Sequence, residues 1–220
     1  LWSLCQVDGE QLARIPDHVP LILVAIFFNY MAPTEIYTHL QPRPVAGFAK
    51  AETWNSAALG ALADLWDAIP LHRGEVDLVA LRQALDALEA GHILTLSPEG
   101  TRSGDGQLQR GYPGVAFLAL RSGARLLPVA HHGGEHFWHN LRQLRRTEFN
   151  IVVGEVFKLH ANGEPVTQKV RQQMADEVMY QLAALLPPAY RGAYADRSQA
   201  TQEYVRFPAG GESNLQRWAD

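Results

Sequence analysis

Short apolar runs alternate along the chain with stretches whose apolar residues recur at helical spacing. The runs are LILVAIFF at 21–28, PVAGFA at 44–49, AIPLHR at 68–73, HILTLS at 92–97, RLLPVAHH at 125–132 and FNIVVGEVFKL at 149–159. Runs of this length, bounded by turn residues, suit buried strands. Between them Leu78, Leu81, Leu85 and Leu88 predict a helix, with Asp77 placed to cap its start and Gly91 to close it. Residues 113–122 predict a second helix, ended by Gly123. A third spans about 167–186, with Val170, Met174, Val178, Leu182 and Leu185 on one face and Pro187-Pro188 as its stop. The alternation predicts an α/β fold in which helices flank one sheet. No repeat, low-complexity block or linker divides the chain, so one domain is expected over 1–196. Residues 197–220 lack periodicity and are rich in Gly, Ser, Gln and Asp, which predicts a loosely packed tail.

Composition narrows the partners. At 220 residues, with 47% hydrophobic and 19% charged positions, the chain can bury one substantial core. A net charge of −4 offers no global attraction to polyanions, so nucleic acid is not an expected partner. The single cysteine, Cys5, can form neither an internal disulfide nor a CxxC site. The longest apolar run, 21–28, is too short to span a bilayer, which needs about 20 residues. The chain begins on Leu1 rather than Met, which leaves a preceding segment open.

Candidate chemistry concentrates at 96–114, LSPEGTRSGDGQLQRGYPG, after a predicted strand and before a predicted helix, where α/β sheets place their ligands. Glu99, Thr101 and Arg102 set an acceptor, a hydroxyl and a guanidinium suited to phosphate within four residues. A polar connecting loop is the plain alternative. The glycines do not fit a nucleotide-loop spacing, and no GxSxG elbow supports a serine hydrolase. In HHGGEHFWHN, 131–140, His132, His136 and His139 have the spacing of metal ligands on a helix, although Gly133-Gly134 interrupts it. Phe137, Trp138, Leu141 and Leu144 with Arg142, Arg145 and Arg146 form a basic amphipathic stretch that fits either core packing or an anionic lipid surface.

The block Pro98-Glu99-Gly100-Thr101-Arg102-Ser103 resembles the PEGTRS block of the glycerolipid acyltransferases, the family that includes lysophosphatidic acid acyltransferase. Other segments resemble that family in the same order: Val7 to Glu10 with Pro20 to Ala25, Lys50-Ala51-Glu52 with Ala68 to Gly74, Leu127 to Ala130, and Leu186 to Tyr194. The resemblance covers about 7–196. It implies a mixed, mostly parallel sheet flanked by helices. It implies transfer of an acyl group from acyl-CoA or acyl-carrier protein, with no further cofactor, to the hydroxyl of a glycerophosphate- or lysophosphatidate-type acceptor. It further implies a peripheral protein at the cytoplasmic face of a membrane. On the matching positions Arg73 and Arg102 would hold the acceptor phosphate, with Lys50 a weaker candidate that ordinary surface pairing also explains. Glu99, Gly100 and Thr101 would shape the acceptor site.

The family's NHxxxxD block, whose His deprotonates the acceptor hydroxyl and whose Asp orients the His, departs from the pattern here. Aligning Val24-Ala25 and Pro33 with that block places Ile26 at the Asn, Phe27 at the His and Ala32 at the Asp. A shifted register, Asn29-Tyr30 with Glu35, loses both flanking matches and replaces an imidazole with a phenol. The expectation is an acyltransferase-like chain with impaired turnover, unless His39, His72, His131, His132, His136 or His139 serves as base. The alternatives are a non-catalytic protein that binds lipid or acyl thioester, an inactivated variant of an enzyme, and a metal-dependent hydrolase. Oligomeric state is left open.

Overall fold

The computed structural model describes residues 5–7, 20–25, 43–72, 74, 77–101, 105–134 and 137–218. Seven strands form one sheet: β1 Cys5–Val7, β2 Leu21–Ala25, β3 Val45–Lys50, β4 Ala68–Leu71, β5 Ile93–Leu96, β6 Arg125–His132 and β7 Thr147–Val153, in the order β1-β7-β6-β2-β5-β3-β4. The strands β6, β2, β5, β3 and β4 are parallel, and β7 with β1 runs against them. The sheet is therefore mixed and mostly parallel, as the resemblance implies.

β2 lies between β5 and β6, and all five of its residues are buried. Its continuous apolar run is the pattern of a strand covered on both faces. Ile22, Val24, Leu94, Leu96 and Leu126 face one core, and Leu21, Leu23, Ile93, Leu127 and Val129 face the other. The helices among the described residues are α1 Ala57–Leu65, α2 Leu78–Glu89, α3 Gly114–Ser122, α4 Phe137–Arg142 and α5 Gln168–Ala183. Ala80, Ala84 and Leu88 of α2 pack in the first core beside Val115 and Leu118 of α3 and Met174 and Val178 of α5. The expected caps are present. Asp77 accepts from Ala80 N–H at the start of α2, and Gly123 ends α3 with φ +65°.

Three expectations need correction. The run 149–159 is not one strand: β7 ends at Val153, and Lys158–Leu159 forms a separate β8. Gly154 turns the chain where a Cβ would stand 2.7 Å from Asn214 Oδ1 and 2.8 Å from Pro128 Cγ. α5 is not one-faced, because Met174, Ala175, Val178, Met179, Tyr180, Leu182 and Ala183 are all buried, together with Glu177 and Gln181. What covers its polar side is the segment expected to be loose.

Residues beyond 196 carry β9, Val205–Arg206, paired with β8, and bury Tyr204, Val205, Leu215 and Trp218. The Glu177 carboxylate accepts from Thr201 Oγ1 at 2.7 Å, Glu203 N at 2.7 Å and Tyr204 N at 2.9 Å. Gln181 Oε1 accepts from Asn214 N at 2.9 Å, and the Arg191 guanidinium lies 4.2 Å from the Trp218 ring centroid. A buried carboxylate is tolerated when its lone pairs are filled, and here the tail fills them.

Candidate active site

β5 delivers the polar loop to the carboxyl edge of the sheet. Beyond Leu96 the chain turns through Gly100, which adopts φ +63° and donates to Ser97 O, while Pro98 O accepts from Tyr112 N at 2.8 Å. The returning arm is tied from behind. Leu108 exchanges backbone bonds with Tyr190 and Ala193, Gln172 Nε2 donates to Gly111 O, and the Tyr194 hydroxyl accepts from Gly111 N while donating to Asp176. Burial pushes the Tyr194 phenol well above its ordinary range, so the hydroxyl keeps the proton that this chain of bonds needs.

Glu99 is the buried acid of this loop. It is 1% exposed, and one carboxyl oxygen accepts from Gln109 N at 2.5 Å. The other is buried with no hydrogen-bond partner among the described residues. Burial raises its pKa to about 7, the Gln109 N–H opposing and the Asp105 charge adding to the rise. Thr101 is exposed beside it. Lys50, at the end of β3 opposite Leu71, is also exposed. Arg73, Arg102, Phe27 and Ala32 lie outside the described residues, as do Asn29, Tyr30, Glu35, His39 and His136.

The registers align the strand ends. Val24 pairs with Leu96, and Phe48 pairs with Ile69 one step beyond the Gly47–Thr95 pair, so Glu99 and His72 each stand three residues past the same row. His72 has a partner that sequence reasoning missed. Its Nδ1 lies 2.8 Å from Asp77 Oδ2, which also accepts from the His72 N–H at 3.0 Å. The Ala80 N–H, then the His72 N–H, then the His72 ring hold the Asp77 carboxyl well below the ordinary carboxylate range. Asp77 was legible as a helix cap, and His72 and Asp77 have the HxxxxD spacing, but they lie after β4 rather than after β2, where the family block falls, and the contact itself is shown by the fold.

The other histidines lie elsewhere. His131 is buried at the end of β6, His132 packs on Tyr190 with ring centroids 5.5 Å apart, and His139 is exposed beside Gln143. No group of three metal-ligating side chains occurs among the described residues. A groove of about 460 Å³ opens beside the edge strand β4, lined by Trp54, Asp64 and His92. Ala46 and His92, at or before the starts of β3 and β5, also line it, which sets it apart from Glu99.

A mostly parallel sheet with a braced polar loop at its carboxyl edge is where α/β proteins hold their ligands. The acyltransferase family model matches residues 10–132, more than half of the chain, and the chain belongs to that family. Its fold is similar to the crystal structure of the 1-acyl-sn-glycerophosphate (LPA) acyltransferase PlsC from Thermotoga maritima. The TM-score is 0.59 and the identity 24%, over 80% of this chain and 70% of that one.

Proposed function

We propose that this chain holds an acyl thioester, on CoA or acyl-carrier protein, and a phosphorylated glycerolipid acceptor at the carboxyl edge of its parallel strands. Acyl transfer to the acceptor hydroxyl then proceeds with the first-block base replaced by Phe27. The observation that carries this reading is the PEGTRS block at the end of β5, next to β2, with its turn fixed by Gly100 and its return arm anchored to α5. The braced residues flank the segment that carries Arg102, to which the resemblance gives the acceptor phosphate. The specific substitutions Phe27 and Ala32 favour a second reading, in which both substrates bind and no turnover follows.

Two measurements separate these readings. The first is calorimetric binding of lysophosphatidate and of acyl-CoA to the full chain, and the second is thiol release with both present. Binding with turnover supports the first reading, and binding without turnover supports the second. Failure to bind either substrate removes both. Arg102→Ala is expected to weaken lysophosphatidate binding by about 1.5–3 kcal/mol, the worth of a hydrogen bond to a charged group. An unchanged affinity takes Arg102 out of the site.

The proposal includes contact with the cytoplasmic face of a membrane through α1. Ala58, Leu59, Leu62, Leu65 and Trp66 share one arc at helical spacing, and Leu59, Leu62, Leu65 and Trp66 are exposed, as are Leu78 and Val79 at the start of α2. No helix among the described residues is long and apolar enough to cross a membrane. In the basic stretch, Leu144 is also exposed. Leu62→Glu combined with Leu65→Glu is expected to lower partitioning onto anionic phospholipid vesicles at least about tenfold, from lost apolar burial. Unchanged co-sedimentation would exclude α1 as the contact.

A further inference from the structure

We propose that His72 and Asp77 form the general base of this site, His72 taking the proton and Asp77 orienting the ring. The inference rests on the acyltransferase reading above. Chain geometry supplies the pair: β4 ends at Leu71, the next residue is His72, and Asp77 begins α2.

Three contacts fix the carboxylate. Oδ1 accepts from Ala80 N at 2.9 Å, and Oδ2 accepts from the His72 N–H at 3.0 Å and faces His72 Nδ1 at 2.8 Å. Capping α2 needs only the first of these. The ring contact is additional and has a chemical consequence. An ionised carboxylate accepts from Nδ1–H, so the neutral imidazole carries its proton there and leaves Nε2 as the basic nitrogen. The His72 side chain is 68% exposed while that of Asp77 is 9% exposed, so the base can be reached and its orienting partner is sheltered. This is the division of labour that the resemblance assigns to the missing His and Asp.

Position supports the role. His72 follows β4 and the Glu99 loop follows β5, both at the carboxyl edge of the sheet and two strand positions apart. The residue after His72 is Arg73, the position that the resemblance gives to the acceptor phosphate. In the step, the acceptor O–H proton passes to Nε2 as the hydroxyl oxygen forms a bond to the thioester carbonyl carbon. The C–S bond then breaks, and the departing sulfur takes the proton from the imidazolium, leaving an ester and a free thiol.

The test uses the full chain with acyl-CoA and lysophosphatidate, following thiol release beside calorimetric binding of each substrate. His72→Gln is expected to lower turnover about 10²-fold and to leave acceptor affinity within about twofold. Asp77→Asn retains a good helix cap, so it is expected to keep the melting temperature while lowering kcat. If turnover survives His72→Gln, the base lies elsewhere and the proposal fails while the acyltransferase reading stands. Binding of both substrates with no turnover in the unaltered chain also overturns it. Failure of both substrates to bind removes the underlying reading itself.

Discussion

Ile26→Asn, Phe27→His and Ala32→Asp, made together, are expected to raise acyl transfer by about 10²-fold. That is the lower end of what a general base contributes. The reasoning is chemical. Phe27 has no nitrogen to accept a proton and Ala32 has nothing with which to orient one, so the restored pair adds a function that this position lacks. The gain is kept at the lower end because the unaltered chain retains His72, the base proposed above. In the His72→Gln background the same reversion should give a larger ratio, since no other base then shares the work. Steady-state rates for the four combinations decide it. A reversion that leaves kcat unchanged in both backgrounds would refute the alignment of Phe27 and Ala32 with the family pair.

Glu99→Gln is expected to flatten the pH dependence of stability. The carboxyl has a folded pKa of about 7 against an unfolded value of 4.5, because it is buried. Below pH 4.5 both states hold the proton and the group costs nothing. Between the two values the unfolded chain releases its proton and the folded chain does not, so stability falls as pH rises. Above about 7 both are ionised and the loss is complete, about 3 kcal/mol for this gap. Glutamine can still accept from Gln109 N, and any cost of its buried amide does not change with pH. The stability difference between the two proteins should therefore move by about 3 kcal/mol in favour of the glutamine form between about pH 4 and pH 8. Urea unfolding at each pH measures this, and a constant difference would show that Glu99 does not titrate with a raised pKa.

What could be read in advance follows from how local each signal is. The β2 and β6 runs, the caps Asp77 and Gly123, and the loop that begins the PEGTRS block after β5 are carried by neighbouring residues, and the described residues have each where the pattern put it. α1 escaped notice because its leucines at 59, 62 and 65 recur at helical spacing over only nine residues, among alanines and Gly60. The tail was misjudged for another reason. Its polar composition suggested solvent, but those polar groups complete Glu177 and Gln181, which lie 24 or more residues earlier in the chain. The His72–Asp77 pair was half legible, as a cap whose second oxygen had an unforeseen use.

The clamp between α5 and the tail sets an order of events during synthesis. A ribosome that has released the chain only as far as residue 196 leaves Glu177 and Gln181 without Thr201, Glu203, Tyr204 and Asn214. At that stage α5 cannot settle into the core without stranding a charge, and the loop that leans on it through Gln172 and Asp176 has no firm support. The binding edge is thus finished late, after nearly all of the fold that surrounds it has been made.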